Sequence, residues 1–168
     1  MVRNPAAVRT ERFERLYADH AGPLLRFLIM RTGNETLAED VAADTFERAL
    51  RARRRFDPRR GSETTWLYSI ARNCLLDRQR RSGAEARALE RTGPASSETT
   101  AAVESVEDRD ALQRGMATLS DEEREAIALR YGADLTVPEL AKLVGEPLTT
   151  MEGRVYRALG KLRDELGE

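Results

Sequence analysis

Apolar residues in this chain recur at steps of three and four, a spacing that restricts it to helices each burying one stripe. The first run places Phe13, Leu16, Tyr17, His20, Leu24, Phe27 and Leu28 on one side of a helix, with Gly22 and Pro23 as a bend and an end near Thr32-Gly33. Asn34 can cap a second helix, with Leu37, Val41, Thr45, Phe46 and Leu50 inside. Its outer side, Glu39, Asp40, Asp44, Glu47 and Arg48, is mostly acidic. Pro58 and Gly61 break the period, so FDPRRGS (56–62) reads as a loop, with Ser62 or Thr64 as the next cap. A third helix carries Trp66, Leu67, Ile70, Ala71, Cys74 and Leu75 on one stripe and Asn73, Asp77, Arg80 and Arg81 on a polar face where DNA can lie.

From Ser82 to about Asp110 the chain is rich in Ala, Ser, Thr, Gly and Glu, holds no aromatic residue and cannot build a core, so it reads as a tether. Periodicity resumes at Leu112, Met116 and Leu119. Ser120-Asp121-Glu122-Glu123, Thr136-Val137-Pro138-Glu139 and Thr149-Thr150-Met151-Glu152 each have the form of a capping box. The expected fold is all-α: two small helical domains, residues 1–82 and 111–168, joined by a flexible acidic linker, residues 83–110, with a helix-turn-helix in the second domain.

The net charge of −1 hides a strong segregation. Residues 51–81 hold 10 basic and 3 acidic groups, a plausible phosphate-binding surface, whereas residues 82–125 hold 5 and 11 and would be repelled by DNA. One cysteine, Cys74, excludes an internal disulfide, and one histidine, His20, leaves no Cys/His zinc cluster. No metal site or cofactor is expected. No apolar run is long enough to cross a bilayer and Met1 to Arg15 lacks a signal-peptide core, so a cytoplasmic protein without membrane insertion is expected.

Ala141 and Gly145 stand where a helix-turn-helix needs a small residue and a flexible one. The helix after them buries Met151, Val155, Ala158, Leu159, Leu162 and Leu166 and is expected to leave Thr150, Arg154, Arg157 and Lys161 exposed along one groove wall. With these pieces in place, AEDVAADTFERAL, FDPRRGSETTWLYSIARNCLLDRQRR, LSDEEREAIALRY and LTVPELAKLVGEPLTTMEGRVYRALGKLR together resemble the extracytoplasmic-function sigma factors of bacterial RNA polymerase. The likeness covers both domains and omits the tether. The segment from Trp66 to Asn73 is its most specific part.

The resemblance implies a protein that binds core RNA polymerase and promoter DNA, as duplex and as melted non-template strand, with an anti-sigma protein as a partner in many members. By position it places Asp40, Asp44 and Phe46, with Glu47 on the same acidic face, against the polymerase clamp. It matches the loop from Phe56 to Glu63, with Arg59, Arg60, Gly61 and Ser62, to one that captures a flipped base of the minus-ten element. Arg72, Asn73, Asp77, Arg80 and Arg81 continue that face, and the cluster Arg53-Arg54-Arg55 extends the track. Trp66 shares a stripe with Leu67, Ile70 and Cys74, so packing rather than base stacking is expected of it. Thr149, Thr150, Glu152, Arg154, Arg157 and Lys161 fall to the minus-thirty-five element. Here the chain departs from the family pattern, because Glu152 and Gly153 replace a lysine and a serine, and Ala43 stands where a glutamine is frequent. Glu152 is expected to serve the capping box with Thr149 and to weaken upstream reading. A stand-alone helix-turn-helix regulator would account for residues 112–168 but leaves TWLYSIARN and the basic loop without a role. The scattered carboxylates give no catalytic assignment for an enzyme.

Overall fold

The computed structural model describes the backbone over residues 5–89 and 106–167, with side chains over 11–84 and 110–167. Among these residues every regular element is helical. The first domain is built from α1 (Pro5–Thr32), α2 (Glu35–Ala52) and α3 (Glu63–Leu89); the second from α4 (Val106–Thr118), α5 (Asp121–Ile127), α6 (Val137–Val144) and α7 (Leu148–Leu166). Pro23 lies inside α1 without ending it. α3 runs past the boundary expected at 82, and residues 90–105 of the expected tether lie outside the described residues.

Local chemistry accounts for the element ends. Gly33, at φ 66°, closes α1 by donating its N–H to the Ile29 carbonyl at 2.8 Å. The Asn34 side chain then accepts from the Leu37 N–H at 2.9 Å and opens α2. Ser62, of the two candidate caps, starts α3 by accepting from the Thr65 N–H at 3.0 Å. The first core gathers Leu24, Phe27, Leu28, Val41, Leu67 and Ala71. Tyr68 joins them fully buried, its ring edge-on to Phe27 at 5.4 Å between centroids. Leu50, expected inside, is 38 % exposed, because the four-residue steps from Val41 and Thr45 bring Ala49 into the core instead.

In the second domain two of the three expected capping boxes form. Ser120 and Glu123 cap α5 reciprocally, as do Thr136 and Glu139 at α6. The third does not form: α7 begins at Leu148 with Pro147 as its N-cap residue, so Thr149 lies inside the first turn and Glu152 is an exposed helix residue. A proline carries its φ near the helical value and lacks an N–H, so it suits a helix start at this point. α4 packs on α7 across Gly115, where a Cβ would come within 2.9 Å of a Leu162 methyl. Arg124 ties down the end of α4 by donating to the carbonyls of Met116 and Leu119 at 2.9 and 3.0 Å.

The two domains are docked on one another. A π-helical turn after α5, Ala128–Gly132, packs on α1 so closely that a Cβ at Gly132 would lie 2.7 Å from the Phe27 Cα. Arg72 on α3 makes a two-point ion pair with Glu125 on α5, at 2.7 and 3.1 Å. Nearly buried Arg31 lies 3.6 Å from Asp121, and the Gln113 amide donates to the Gly33 carbonyl at 3.2 Å.

Candidate nucleic-acid interface

The basic stretch after α2 is held open to solvent. Arg53–Arg55 form a short 3-10 turn whose side chains are all exposed. In the following loop the Asp57 carboxylate accepts from both the backbone N–H and the Nε of Arg59, at 3.0 and 3.2 Å, which fixes the turn. Arg59 remains almost fully exposed, with Arg60 and Ser62 exposed beside it and Gly61 half-buried. Behind the loop lies a cleft of about 120 Å³ between α1, the 3-10 turn and the start of α3, walled by Phe13, Phe56, Trp66, Arg53 and Arg54. Phe56 and Trp66 pack at 5.3 Å between centroids, and the Arg12 guanidinium lies 5.3 Å above the Phe56 ring. Arg12 also pairs with Glu63 at 3.1 Å, joining α1 to α3. Trp66 is thus partly buried against the core, as its stripe implied, and also forms one wall of the cleft.

Farther along α3, Asn73, Arg80 and Arg81 are exposed in a row. Asp77 faces α2 instead, where Arg48 donates to it at 2.8 Å, and that hydrogen bond holds its carboxyl below the ordinary range. Arg72 is turned toward the second domain and held by Glu125, with Nη1 also reaching the Leu143 carbonyl at 3.4 Å. The basic row and the arginine at its root therefore have different neighbours.

On α2, Asp40 and Asp44 face Arg78 of α3 at 3.6 and 3.2 Å, and Glu47 pairs with Arg51. Phe46 is core, 8 % exposed and packed 4.7 Å from the Tyr17 ring. The apolar surface beside the acids comes from Tyr17, 54 % exposed, and from Leu50. Sequence spacing had assigned both inward. Arg78 was missed because its partners lie 34 and 38 positions away along the chain.

The helix-turn-helix is α6, Gly145 and α7. Gly145 takes φ 78°, and both its own N–H and that of Glu146 reach the Ala141 carbonyl at 2.9 Å, which turns the chain sharply into α7. On α7, Thr149, Thr150, Glu152, Tyr156 and Arg157 are exposed. Arg154, expected to be exposed, is drawn back onto Glu146 at 2.7 Å, its side chain only 14 % exposed. Lys161 donates to nearly buried Glu123 at 2.7 Å, and this bond is the main reason the Glu123 carboxyl is held below its ordinary value. Two of the expected cationic contacts thus join α7 to the turn before it and to α5. Tyr156, 76 % exposed, had no place in the apolar stripe or in the charge pattern. The arginine at 157 lies over Gly153, where a Cβ would be 3.2 Å from its Nη1.

No helix among the described residues is long and apolar enough to cross a membrane, and none of their His, Cys, Asp and Glu side chains form a group able to hold a metal.

Comparison with known proteins agrees with this two-part architecture. Residues 16–85 match the family model for sigma-70 region 2, and residues 109–162 the model for sigma-70 region 4. The chain is 32% identical over 169 residues to the ECF RNA polymerase sigma factor RpoE of Cereibacter sphaeroides, covering 95% of this chain and 91% of that one. It is 33% identical over 162 residues to the RNA polymerase sigma factor CarQ of Myxococcus xanthus, covering 93% and 90%. Among solved structures it resembles the sigma factor RpoE of Bartonella quintana, seen in complex with the anti-sigma factor NepR. That match has a TM-score of 0.78 at 25% identity over 94% of this chain and 98% of the other. It also resembles CnrH in complex with the cytosolic domain of CnrY, with a TM-score of 0.70 at 26% identity over 94% and 89%. A region 2 domain followed by a region 4 helix-turn-helix defines the sigma-70 class of transcription initiation protein. Within that class the chain belongs to the extracytoplasmic-function sigma factors, which bind core RNA polymerase and direct it to promoters. The stand-alone regulator is not favoured, since residues 16–85 match region 2.

Proposed function

We propose that this sigma factor opens promoters by binding chemistry alone, with its tasks divided among three surfaces and no catalytic group. The exposed arginines from Arg53 to Arg60, with Asn73, Arg80 and Arg81, take the minus-ten element, and the cleft walled by Phe56 and Trp66 takes one unpaired base of the non-template strand. The observation that carries this is the coincidence of an aromatic cleft with a solvent-facing arginine track at one end of the first domain. Unstacking a base costs a few kcal/mol, roughly, and stacking on an aromatic wall beside phosphate-neutralising charge offsets that cost. Arg12, over the Phe56 ring, belongs to the same site.

The acidic face of α2, Asp40, Asp44 and Glu47, with Tyr17 and Leu50 as its apolar neighbours, docks on the polymerase clamp, and Phe46 supports Tyr17 from below. Thr149, Thr150, Glu152, Tyr156 and Arg157 form the upstream reading face, while Arg154 and Lys161 position α7. Domains spanning 1–82 and 111–168 with a linker between them suit two promoter elements read by one chain. An anti-sigma protein is a fitting further partner, since the structurally similar RpoE was solved with the anti-sigma factor NepR and CnrH with the cytosolic domain of CnrY. The site of action is the cytoplasm, where the polymerase is.

The test is transcription in vitro with core polymerase on promoter fragments, comparing the wild type with Trp66→Ala and Arg157→Ala. Trp66→Ala should bind duplex promoter but fail to form open complexes. Arg157→Ala should weaken upstream binding and reduce its salt slope by about 1. Open complexes formed normally by Trp66→Ala would overturn the base-capture assignment.

A further inference from the structure

Because the third expected capping box does not form, Glu152 is left without the task it would have had there. It stands in the second turn of α7, beyond the first turn that follows the Pro147 cap, where the attraction of a helix N-terminus for negative charge has faded. Its side chain is exposed and makes no hydrogen bond or ion pair among the described residues. The carboxylates of the preceding turn and helix are engaged: Glu146 holds Arg154 at 2.7 Å, and Glu139 closes the cap of α6 with Thr136. A lone carboxylate on a face that meets a polyanion repels the phosphates near it, so it needs a donor on the nucleic acid to offset that repulsion.

Arg157 is its counterpart. The neighbouring cations are taken up inside the domain, Arg154 by Glu146 and Lys161 by Glu123 at 2.7 Å each, whereas Arg157 is exposed and joins no salt bridge among the described residues. Gly153 gives its guanidinium room to reach back along the helix: a Cβ at 153 would lie 3.2 Å from Nη1, and nothing from another helix comes within 4 Å. The guanidinium is thereby level with Gly153, the residue next to Glu152. Gly153 has no positive φ and no helix packed against it, so nothing inside the fold asks for glycine, which a helix interior disfavours. A carboxylate acceptor and a forked donor thus stand at one level near the start of the reading helix, with exposed Tyr156 one turn further on.

In the major groove a C·G pair offers the matching groups, an amine donor on cytosine N4 beside the O6 and N7 acceptors of guanine. A T·A pair sets the thymine O4, an acceptor, where that amine would be, and a carboxylate is repelled by it. We infer that Glu152 and Arg157 together read one C·G pair of the upstream element, Glu152 accepting from the cytosine N4 amine and Arg157 donating to guanine O6 and N7. Glu152 is then a specificity-determining residue. It lowers binding to duplex at large by repelling phosphate, and the loss is recovered only where an amine meets it. The inference rests on the reading of α7 as the upstream face and adds the base pair that this face selects.

Holoenzyme assembled from the full chain and core polymerase tests this by selection from a duplex pool randomised over the promoter region, with the bound fragments sequenced. One upstream position should be selected as C·G over T·A by about tenfold, the lower part of what a base contact confers. Glu152→Ala should flatten that position alone, and Glu152→Gln should shift it toward adenine, whose N6 and N7 suit an amide. Both variants should also hold random-sequence duplex more tightly than the wild type at low salt, because a repulsion has been removed; a residue with a merely structural role would not show this. Arg157→Ala should relax the same position while weakening upstream binding as a whole. An upstream element selected without a C·G preference, or with one that Glu152→Ala leaves intact, would overturn the inference while sparing the upstream face. Bound fragments that share a minus-ten element but no upstream bases would overturn the reading of α7 itself, and the inference with it.

Discussion

At the scale of single residues, many of the described carboxylates are engaged in bonds within the chain. Glu123 is the extreme case: nearly buried, it accepts from the Ser120 N–H and from Lys161 at once, and its carboxyl is held below the ordinary value of 4.5 by the Lys161 hydrogen bond first and the Ser120 bond second. A group whose carboxyl is depressed on folding contributes stability that is complete above its unfolded value and lost as pH falls through the folded one. The second domain should therefore lose stability on acidification below about pH 4.5. Glu123→Gln should lower the Tm most at neutral pH, and the gap from the wild type should close in acid; a gap independent of pH would show that the charge has no part in it. Tyr68 makes the opposite point. Its hydroxyl is buried without a partner, and desolvation drives its ionisation far above the usual range. Removing an unpaired buried hydroxyl relieves a desolvation cost, so Tyr68→Phe should stabilise the first domain by about 1 kcal/mol in denaturant titration. A loss of that size would reveal a partner for the hydroxyl.

At the scale of elements, ends proved more legible than faces. Gly33, Asn34, Ser62, Ser120, Thr136 and Gly145 all act where their side chains, or the lack of one, suggest, because capping and positive φ are settled by neighbours within a few positions. The exception is Thr149, where Pro147 starts α7 earlier and overrides a box that sequence alone cannot rank against it. Faces depend on distant partners. The inward turn of Arg72 and Arg154, the diversion of Lys161 to Glu123 and the burial of Tyr68 follow from packing between helices that no periodicity records. The aromatic cleft was half legible: the loop and Trp66 stood out, whereas Arg12 and Phe13 come from a helix some fifty residues away. Gly145 offers the element-scale prediction. Alanine at φ 78° incurs the left-handed penalty of about 1 kcal/mol, so Gly145→Ala should lower the stability of the second domain by that amount and loosen upstream duplex binding. Stability unchanged in a thermal melt would mean that the turn can be made another way.

At the scale of the whole molecule, two domains that the chain pattern separates by a tether are joined by a seam of backbone packing and ion pairs. Docked domains share their unfolding, so calorimetry on the intact protein should show one transition, and Gly132→Ala should split it into two. A single transition in that variant would mean that the seam contributes nothing to cooperativity. The division of labour between the domains is nonetheless plain in the charge pattern, since the basic block belongs wholly to the first domain and the first half of the second is acidic.

One buried atom has a practical bearing on all of these measurements. The thiol of Cys74, 2 % exposed in the first core, is the chain's single sulfhydryl, and burial raises its pKa, leaving little reactive thiolate at neutral pH. The surface is thus chemically silent toward maleimides and other thiol reagents. A cysteine introduced on each domain can be labelled against a dark background, with the native sequence otherwise intact, so the separation of the two domains can be measured on the working protein itself.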